Sequence, residues 1–272
     1  FTFIPADITV ECSGIQAVPV GTPAATDNCS DEVTITYLGE TRIDGNCPNN
    51  YTLIRTWSAT DECNNTAEAS QTITVKDTKA PFIDLPAADL TVECNGSGNQ
   101  DELNGWLNSN GGAQAHDNCG DIHWSNNFNG LSDGCGTTGS AIVIFTVTDD
   151  CGNFKTTSAT FTIIDNSKPV FTIVPENLTV ECDGNGNGAE LETWLANVAA
   201  SDVCGEVEIT NNFEGLSDGC GSTGSVTVTW TAIDECENTE TTSATFTIID
   251  NSKPVFTAIP ENLTVECDGN GN

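Results

Sequence analysis

The sequence predicts an all-β protein made of tandem, disulfide-stapled sandwich repeats, and three observations carry that prediction. Asp165–Asn187 returns at Asp250–Asn272 with only Ile173/Ala258 and Val174/Ile259 exchanged, an offset of 85 residues. Self-similarity at a fixed period is the mark of an array of like units. Short runs alternate apolar residues with threonine and serine, the period of a half-buried strand. The chain also carries 13 cysteines and no methionine. Modules this small bury a thin core and often need staples. The cysteines are evenly spaced rather than grouped as Cys-x-x-Cys, which favours disulfides formed in an oxidising, extracellular setting over zinc sites.

The phrase Thr-Val-Glu-Cys, first written Ile-Thr-Val-Glu-Cys, marks the start of each unit at Cys12, Cys94, Cys182 and Cys267. It divides the chain into repeat 1 (1–77), repeat 2 (78–165), repeat 3 (166–250) and the start of a fourth (251–272). Each complete repeat should open on a short strand, such as Leu90–Glu93 or Leu178–Glu181. Glu102–Leu107 and Glu190–Leu195, whose Leu and Trp spacing suits one face of a short helix, follow in repeats 2 and 3; repeat 1 has a proline-bearing stretch instead. Ile122–Phe128 and Val207–Phe213 read as the next strand. A final hairpin is predicted from Leu53–Asp61, Ala141–Asp149 and Ser225–Asp234, with Trp57, Phe145 and Trp230 at one core position. Turns of the Asp-Asp-Cys-Gly-Asn type join its two strands. Many short strands with turn signals between them and no long helix make each repeat an immunoglobulin-like β-sandwich. Lys-Pro linkers should join the repeats into a rod.

Seven basic residues against 40 acidic ones give a formal charge of −33. That excludes attraction to nucleic acid or an anionic membrane surface and makes cations the natural counterpart. No apolar run reaches the length needed to span a bilayer. Phe1 and Asn272 both fall inside repeats, so the chain reads as a piece of a longer array.

Four cysteines allow three pairings, and spacing alone does not choose between them. Topology suggests that the second and fourth cysteines of a repeat lie at its N-terminal end and the first and third at the opposite end. The pairs expected on that basis are Cys12–Cys47, Cys29–Cys63, Cys94–Cys135, Cys119–Cys151, Cys182–Cys220 and Cys204–Cys236, with Cys267 lacking an internal partner.

The phrases Ala-Thr-Asp-Asn-Cys (25–29), Asp-Gly-Cys-Gly-Thr-Thr-Gly-Ser (133–140), Thr-Val-Thr-Asp-Asp-Cys-Gly-Asn (146–153) and the Lys-Pro linker before Thr-Val-Glu-Cys resemble hyalin-repeat (HYR-like) modules. The cysteine-bearing version tandemly repeated in large secreted surface proteins and adhesins of Bacteroidota is the nearer likeness. Repeat 1 departs from it, with Cys-Pro-Asn-Asn at 47–50 and no Trp-Leu helix. The resemblance implies an immunoglobulin-like fold, secretion, a stalk, fibre or adhesin role, and no catalytic residue.

The candidate site is a set of acids at the N-terminal end of each repeat: Asp117, Asp149 and Asp150 in repeat 2, and Asp202, Asp234 and Glu235 in repeat 3. The preceding linkers deliver Asp77 and Asp165 to the same ends. Carboxylates converging at a module junction suit Ca2+, which takes six to eight oxygen ligands in flexible geometry. The competing explanation is that Asp beside Cys and Gly-Asn builds turns through its own hydrogen bonds. Asp183-Gly-Asn-Gly-Asn-Gly imitates the start of a calcium loop, but Trp194 falls where a bidentate Glu is required. His116 and His123 become Ser201 and Glu208 in repeat 3, which argues against a catalytic or zinc role. No nucleophile, zinc or phosphate-loop motif is present. The expectation is a non-enzymatic extracellular stalk or filament whose partners are other copies of the array. Its alternative is an adhesin rod binding a glycan or surface receptor through loops such as Phe128–Gly136 and Phe213–Gly221. Ile142 and Ile144 replace threonines of repeat 3 and mark a face expected to be covered.

Overall fold

The computed structural model describes residues 1–267. They divide between Asn166 and Ser167 into two compact units, of which the first contains repeats 1 and 2 and the second repeat 3. Repeat 1 comprises β1 (Ile8–Glu11), β2 (Thr34–Asp44), β3 (Tyr51–Thr60) and β4 (Thr66–Lys76) in one sheet of order β1-β4-β3-β2. Strand β1 runs parallel to β4, and the other pairs are antiparallel. Repeat 2 comprises β5 (Phe82–Leu85), β6 (Leu90–Glu93), α1 (Gln100–Asn108), β7 (Gln114–His116), β8 (Ile122–Asn126), β9 (Gly139–Asp149) and β10 (Phe154–Ile164). Its sheet has the order β6-β10-β9-β8, with a separate β5–β7 ladder. The second unit repeats this plan with β11 (Val170–Ile173), β12 (Leu178–Glu181), α2 (Gly188–Ala196), β13 (Ala199–Ser201), β14 (Val207–Asn211), β15 (Gly224–Asp234) and β16 (Thr239–Ile249). Its sheet is ordered β12-β16-β15-β14, beside a β11–β13 ladder. The chain is thus all-β and of the immunoglobulin-like sandwich class, as the alternation of apolar residue and threonine predicts; the second layer is a two-stranded ladder in repeats 2 and 3 and a single bridge between Phe3 and Ala24 in repeat 1.

That alternation decides which face is buried. Along β15, Val228, Trp230 and Ala232 are fully buried, and Thr227 and Thr229 face solvent. Trp57, Phe145 and Trp230 occupy one position in the three cores, at 2%, 0% and 0% exposure. In repeats 2 and 3 the helix lays a tryptophan on that residue. Trp106 meets Phe145 edge-on at 5.2 Å between ring centroids, and Trp194 meets Trp230 at 5.0 Å. Each indole N–H donates to a carbonyl just before the opening strand, Ala88 O at 3.0 Å and Glu176 O at 2.7 Å. A buried indole needs such a partner.

Repeat 1 has no helix, only a 3-10 turn at Cys12–Ala17, and its core differs accordingly. Arg55 and Gln71 pair across the sheet where the other repeats pair Val143 with Ala159 and Val228 with Ala244. Both side chains are buried. Arg55 donates to Glu40 at 2.8 Å and to Pro19 O at 2.8 Å, and Gln71 donates to Ala6 O at 2.7 Å. A buried charge persists only when paired and hydrogen-bonded in this way.

The acidic residue of the Thr-Val-Glu-Cys phrase fixes the start of the following linker. Glu11 accepts the backbone N–H and the hydroxyl of Thr78, both at 2.9 Å. Glu93 accepts the backbone N–H of Asn166 at 2.7 Å, and Glu181 that of Asn251 at 2.6 Å. Because β1, β6 and β12 lie parallel to the last strand of their repeats, this glutamate always arrives beside the point where the chain leaves the sheet.

Candidate functional site

The junction between repeats 1 and 2 brings together the first repeat's first and third cysteines and the second repeat's second and fourth. Cys12 follows β1, and Cys47 lies in the turn between β2 and β3. Cys119 precedes β8, and Cys151 sits in the β9–β10 turn. The disulfides are Cys12–Cys119 and Cys47–Cys151, with Cα separations of 5.8 and 5.2 Å. These replace the expected Cys12–Cys47 and Cys119–Cys151 pairs. The expectation failed because it treated each repeat as a closed domain, whereas the linker presses the N-terminal end of repeat 2 against the end of repeat 1 that carries Cys12 and Cys47. The expected Cys29–Cys63 and Cys182–Cys220 pairs do not form either, all four carrying free thiols; Cys267, for which no pair was expected, is free too. Cys94, Cys135, Cys204 and Cys236 are disulfide-bonded.

Local sequence explains how the bonded cysteines are presented. Asp117 accepts the backbone N–H of Cys119 at 2.7 Å. Asp149 accepts the N–H groups of Cys151 and Asn153, each at 2.9 Å, and the Asn153 side-chain amide at 2.9 Å. The turn reverses at Gly152 with φ 89°, a conformation that favours glycine. Asp therefore builds these turns, as the competing explanation held, but its carboxylates also converge. Asp77, Asp117 and Asp149 each place a carboxylate oxygen within 4.8 Å of the others.

Asp77 is the unusual member. It is 4% exposed, and neither of its carboxylate oxygens has a hydrogen-bond partner. Its backbone is held from both sides, the N–H by Asn50 Oδ1 at 2.7 Å and the carbonyl by the Asn153 side-chain amide at 3.3 Å. Burial, then repulsion from Asp149 and Asp117, pushes the Asp77 carboxyl above its ordinary 3.8. A buried carboxylate without a partner costs several kcal/mol, and a bound cation removes that cost. Two carboxylates beside the orphaned one form the hard, all-oxygen donor set that suits Ca2+ better than a softer metal.

The remaining candidates have other occupations. The Asp150 carboxylate lies 3.3 Å from His123 Nε2, and His116 Nδ1 lies 2.7 Å from Asp84. Asp165 follows β10 at the end of the first unit. In the second unit Asp202 accepts the Cys204 N–H at 2.7 Å, and Asp234 accepts those of Cys236 at 2.8 Å and Asn238 at 2.9 Å. Asp234 Oδ2 is buried without a partner. Glu235 lies against Gly205, where an added Cβ would come within 2.6 Å of its carboxylate. Asp183 accepts the N–H groups of Asn185 at 2.7 Å and Asn187 at 3.1 Å, which lowers its pKa. Its loop is a turn that starts α2. Ile142 and Ile144 are 74% and 43% exposed. The linker clamps Glu11, Glu93 and Glu181 were missed as functional residues. Their recurrence beside the first cysteine of every repeat was the available signal.

Residues 3–75 match the profile of the family described as an HYR-like domain with 4 cysteines. Repeat 1 is therefore similar to HYR-like domains even though it is the repeat that lacks the helix. No curated protein matches the chain. Similar solved structures include Drosophila N-cadherin EC1-4, at 12% identity and TM-score 0.31, covering 91% of this chain and 74% of that one. Mouse cadherin-23 EC22-24 is 14% identical with TM-score 0.30, covering 91% of this chain and 96% of that one. Protocadherin gammaB7 EC3-6 is 13% identical with TM-score 0.29, covering 90% and 72%. Among the described residues, no helix is long and apolar enough to cross a membrane.

Proposed function

We propose that the chain is a segment of a non-enzymatic, extracellular, load-bearing stalk, cross-linked between successive repeats and stiffened by Ca2+ at the junction. The observation that carries this reading is that Cys12–Cys119 and Cys47–Cys151 each join one repeat to the next. A bond closing a single repeat stabilises that repeat alone. A pair of bonds across a junction resists bending and carries tension past the linker. Glu11 fastens the linker's first residue, and Asp77, Asp117 and Asp149 would hold the cation. Bound there, Ca2+ supplies charge neutralisation and a further tie between the end of repeat 1 and the turns of repeat 2. The resemblance to HYR-like modules and the 13 cysteines agree with secretion to the cell surface. Partners are other copies of the array in preference to a glycan or surface receptor, since the chain's cysteine chemistry is directed at repeats of its own kind.

Force spectroscopy tests the load path. The Cys12–Cys119 bond bridges a sequence separation of 107 residues. At about 3.5 Å per residue, it withholds roughly 370 Å of contour from an unfolding chain. Pulling on the first unit should release that length in reductant and withhold it under oxidising conditions. Equal contour lengths in the two conditions would refute the mechanical role.

A further inference from the structure

The Cys12–Cys119 bond is flanked by carboxylates. One oxygen each from Glu11 and Asp77 and the sulfurs of Cys12 and Cys119 all lie within 4.8 Å of one another. Glu11 ends β1, Cys12 follows it, Asp77 follows β4 and Cys119 precedes β8. Strand β1 lies parallel to β4 with Glu11 beside Lys76, so register alone brings Glu11 and Cys12 next to Asp77. The junction then adds Cys119 from the following repeat. Cys47 and Cys151 belong to no such group among the described residues.

The four side chains are positioned by their surroundings. Glu11 accepts the Thr78 N–H on one oxygen and the Thr78 hydroxyl on the other, both at 2.9 Å. Its Oε1 lies 3.9 Å from Cys12 Sγ. Asp117 accepts the Cys119 N–H at 2.7 Å. Asp77 is buried, and both its carboxylate oxygens lack a hydrogen-bond partner. A carboxylate fixed by outer hydrogen bonds, as Glu11 is, has the support that metal ligands ordinarily have. A buried carboxylate with nothing to satisfy it, as Asp77 is, calls for a cation.

We propose that in the reduced chain Cys12, Cys119, Glu11 and Asp77 bind Zn2+, and that the metal and the Cys12–Cys119 bond are alternative closures of the same junction. Zinc takes thiolate sulfur at about 2.3 Å and carboxylate oxygen at about 2.0–2.2 Å in a tetrahedron, which spaces its ligand atoms roughly 3.3–3.8 Å apart. The four atoms already keep within 4.8 Å of each other, so small side-chain rotations complete the site once the sulfurs part. Two thiolates select zinc over Ca2+ or Mg2+. Asp77 is shared with the Asp77, Asp117 and Asp149 set, so oxidation changes which metal the junction takes. The zinc site itself needs only the geometry around Cys12 and Cys119, and it stands whether or not the oxidised protein holds Ca2+.

Closing the bond from the zinc form needs a two-electron oxidant, for which a low-molecular-weight disulfide such as oxidised glutathione suffices. One thiolate leaves zinc and attacks the glutathione disulfide, forming a mixed disulfide and expelling a glutathione thiolate. The second thiolate attacks the protein sulfur of that mixed disulfide and expels the other. Two protein thiolates are oxidised, one glutathione disulfide is reduced to two thiolates, and Zn2+ departs with its charge unchanged.

The test uses the full chain reduced with a phosphine and alkylated with iodoacetamide, with and without one equivalent of Zn2+, each cysteine being read by mass spectrometry. Zinc should shield Cys12 and Cys119, leave Cys47 and Cys151 reactive, and raise the melting midpoint of the reduced chain, because metal binding adds to folding free energy. Co2+ in its place should give the thiolate charge-transfer and visible bands of a tetrahedral site. D77N keeps every thiol and should lose the shielding and the bands. C47S/C151S breaks no bond in the reduced chain and should keep both. Glutathione disulfide should then release the zinc to a chromogenic chelator as Cys12–Cys119 forms. Equal alkylation of Cys12 and Cys119 with and without zinc, shielding spread evenly over all the cysteines, or shielding indifferent to D77N would each overturn the proposal.

Discussion

Replacing Asp77 by asparagine should reverse its effect on stability according to whether Ca2+ is present. At the outer separation of 4.8 Å, each pair of ionised carboxylates repels by about 3.5 kcal/mol at an effective dielectric constant near 20. Asp77 makes two such pairs. Protonation of Asp77, which its raised pKa favours, is the alternative to bearing that repulsion. From an ordinary value of 3.8, that escape costs about 4.4 kcal/mol at neutral pH, which caps the penalty. In EDTA, D77N removes it and should raise the unfolding midpoint of the first unit. A gain of about 2 kcal/mol corresponds to roughly 4–8 °C for a unit of this size. With Ca2+ at about 100 times its dissociation constant, the native protein gains about 2.7 kcal/mol by mass action. D77N should forgo most of that gain. The pH dependence follows from the same carboxyl. Its folded pKa is raised, so its contribution to the metal-free protein is greatest below 3.8 and is lost as pH rises through the folded value. The advantage of D77N in EDTA should therefore shrink as pH falls from 7 towards 4. Differential scanning calorimetry in EDTA and in Ca2+ measures all of this. A D77N protein less stable than the native one in EDTA, or a native midpoint indifferent to Ca2+, would refute the reasoning.

Other expectations follow from the same geometry. W106A deletes a buried ring packed edge-on against Phe145 and should cost about 3–5 kcal/mol in denaturant unfolding. E11A removes both hydrogen bonds to Thr78; a loss of about 1.4 kcal/mol would lower hydrogen-exchange protection of the Thr78 amide roughly tenfold. Reduction opens covalent loops of 107 and 104 residues, each worth about 4.7 kcal/mol on a chain-entropy account when it is the only bridge. The urea midpoint should fall steeply in dithiothreitol. I142K changes a side chain that is 74% exposed and should alter stability by less than about 0.5 kcal/mol; a larger loss would show that this face is packed.

The strands were legible because alternation has a fixed meaning: a residue two positions along a strand shares its face whatever the rest of the chain does. That rule placed β9, β10, β15 and β16 and the shared core position of Trp57, Phe145 and Trp230. The two helices were legible from the Leu and Trp spacing, although α1 and α2 begin earlier than expected, each after an asparagine in the left-handed region, Asn99 and Asn187. The buried Arg55–Glu40 pair was not legible, since nothing nearby in sequence announces that Arg55 stands where the other repeats carry valine.

By itself the sequence determined the period, the sandwich class, the cysteine positions and the gathering of acids near the turns, because each of these is a local or repeating property of the chain. Only the tertiary structure decided that Cys12 meets Cys119 rather than Cys47, and that Asp77 is the carboxylate left buried without a partner. Both depend on which end of one repeat the linker presses against the next, and residues more than 100 positions apart meet through that docking rather than through any pattern between them.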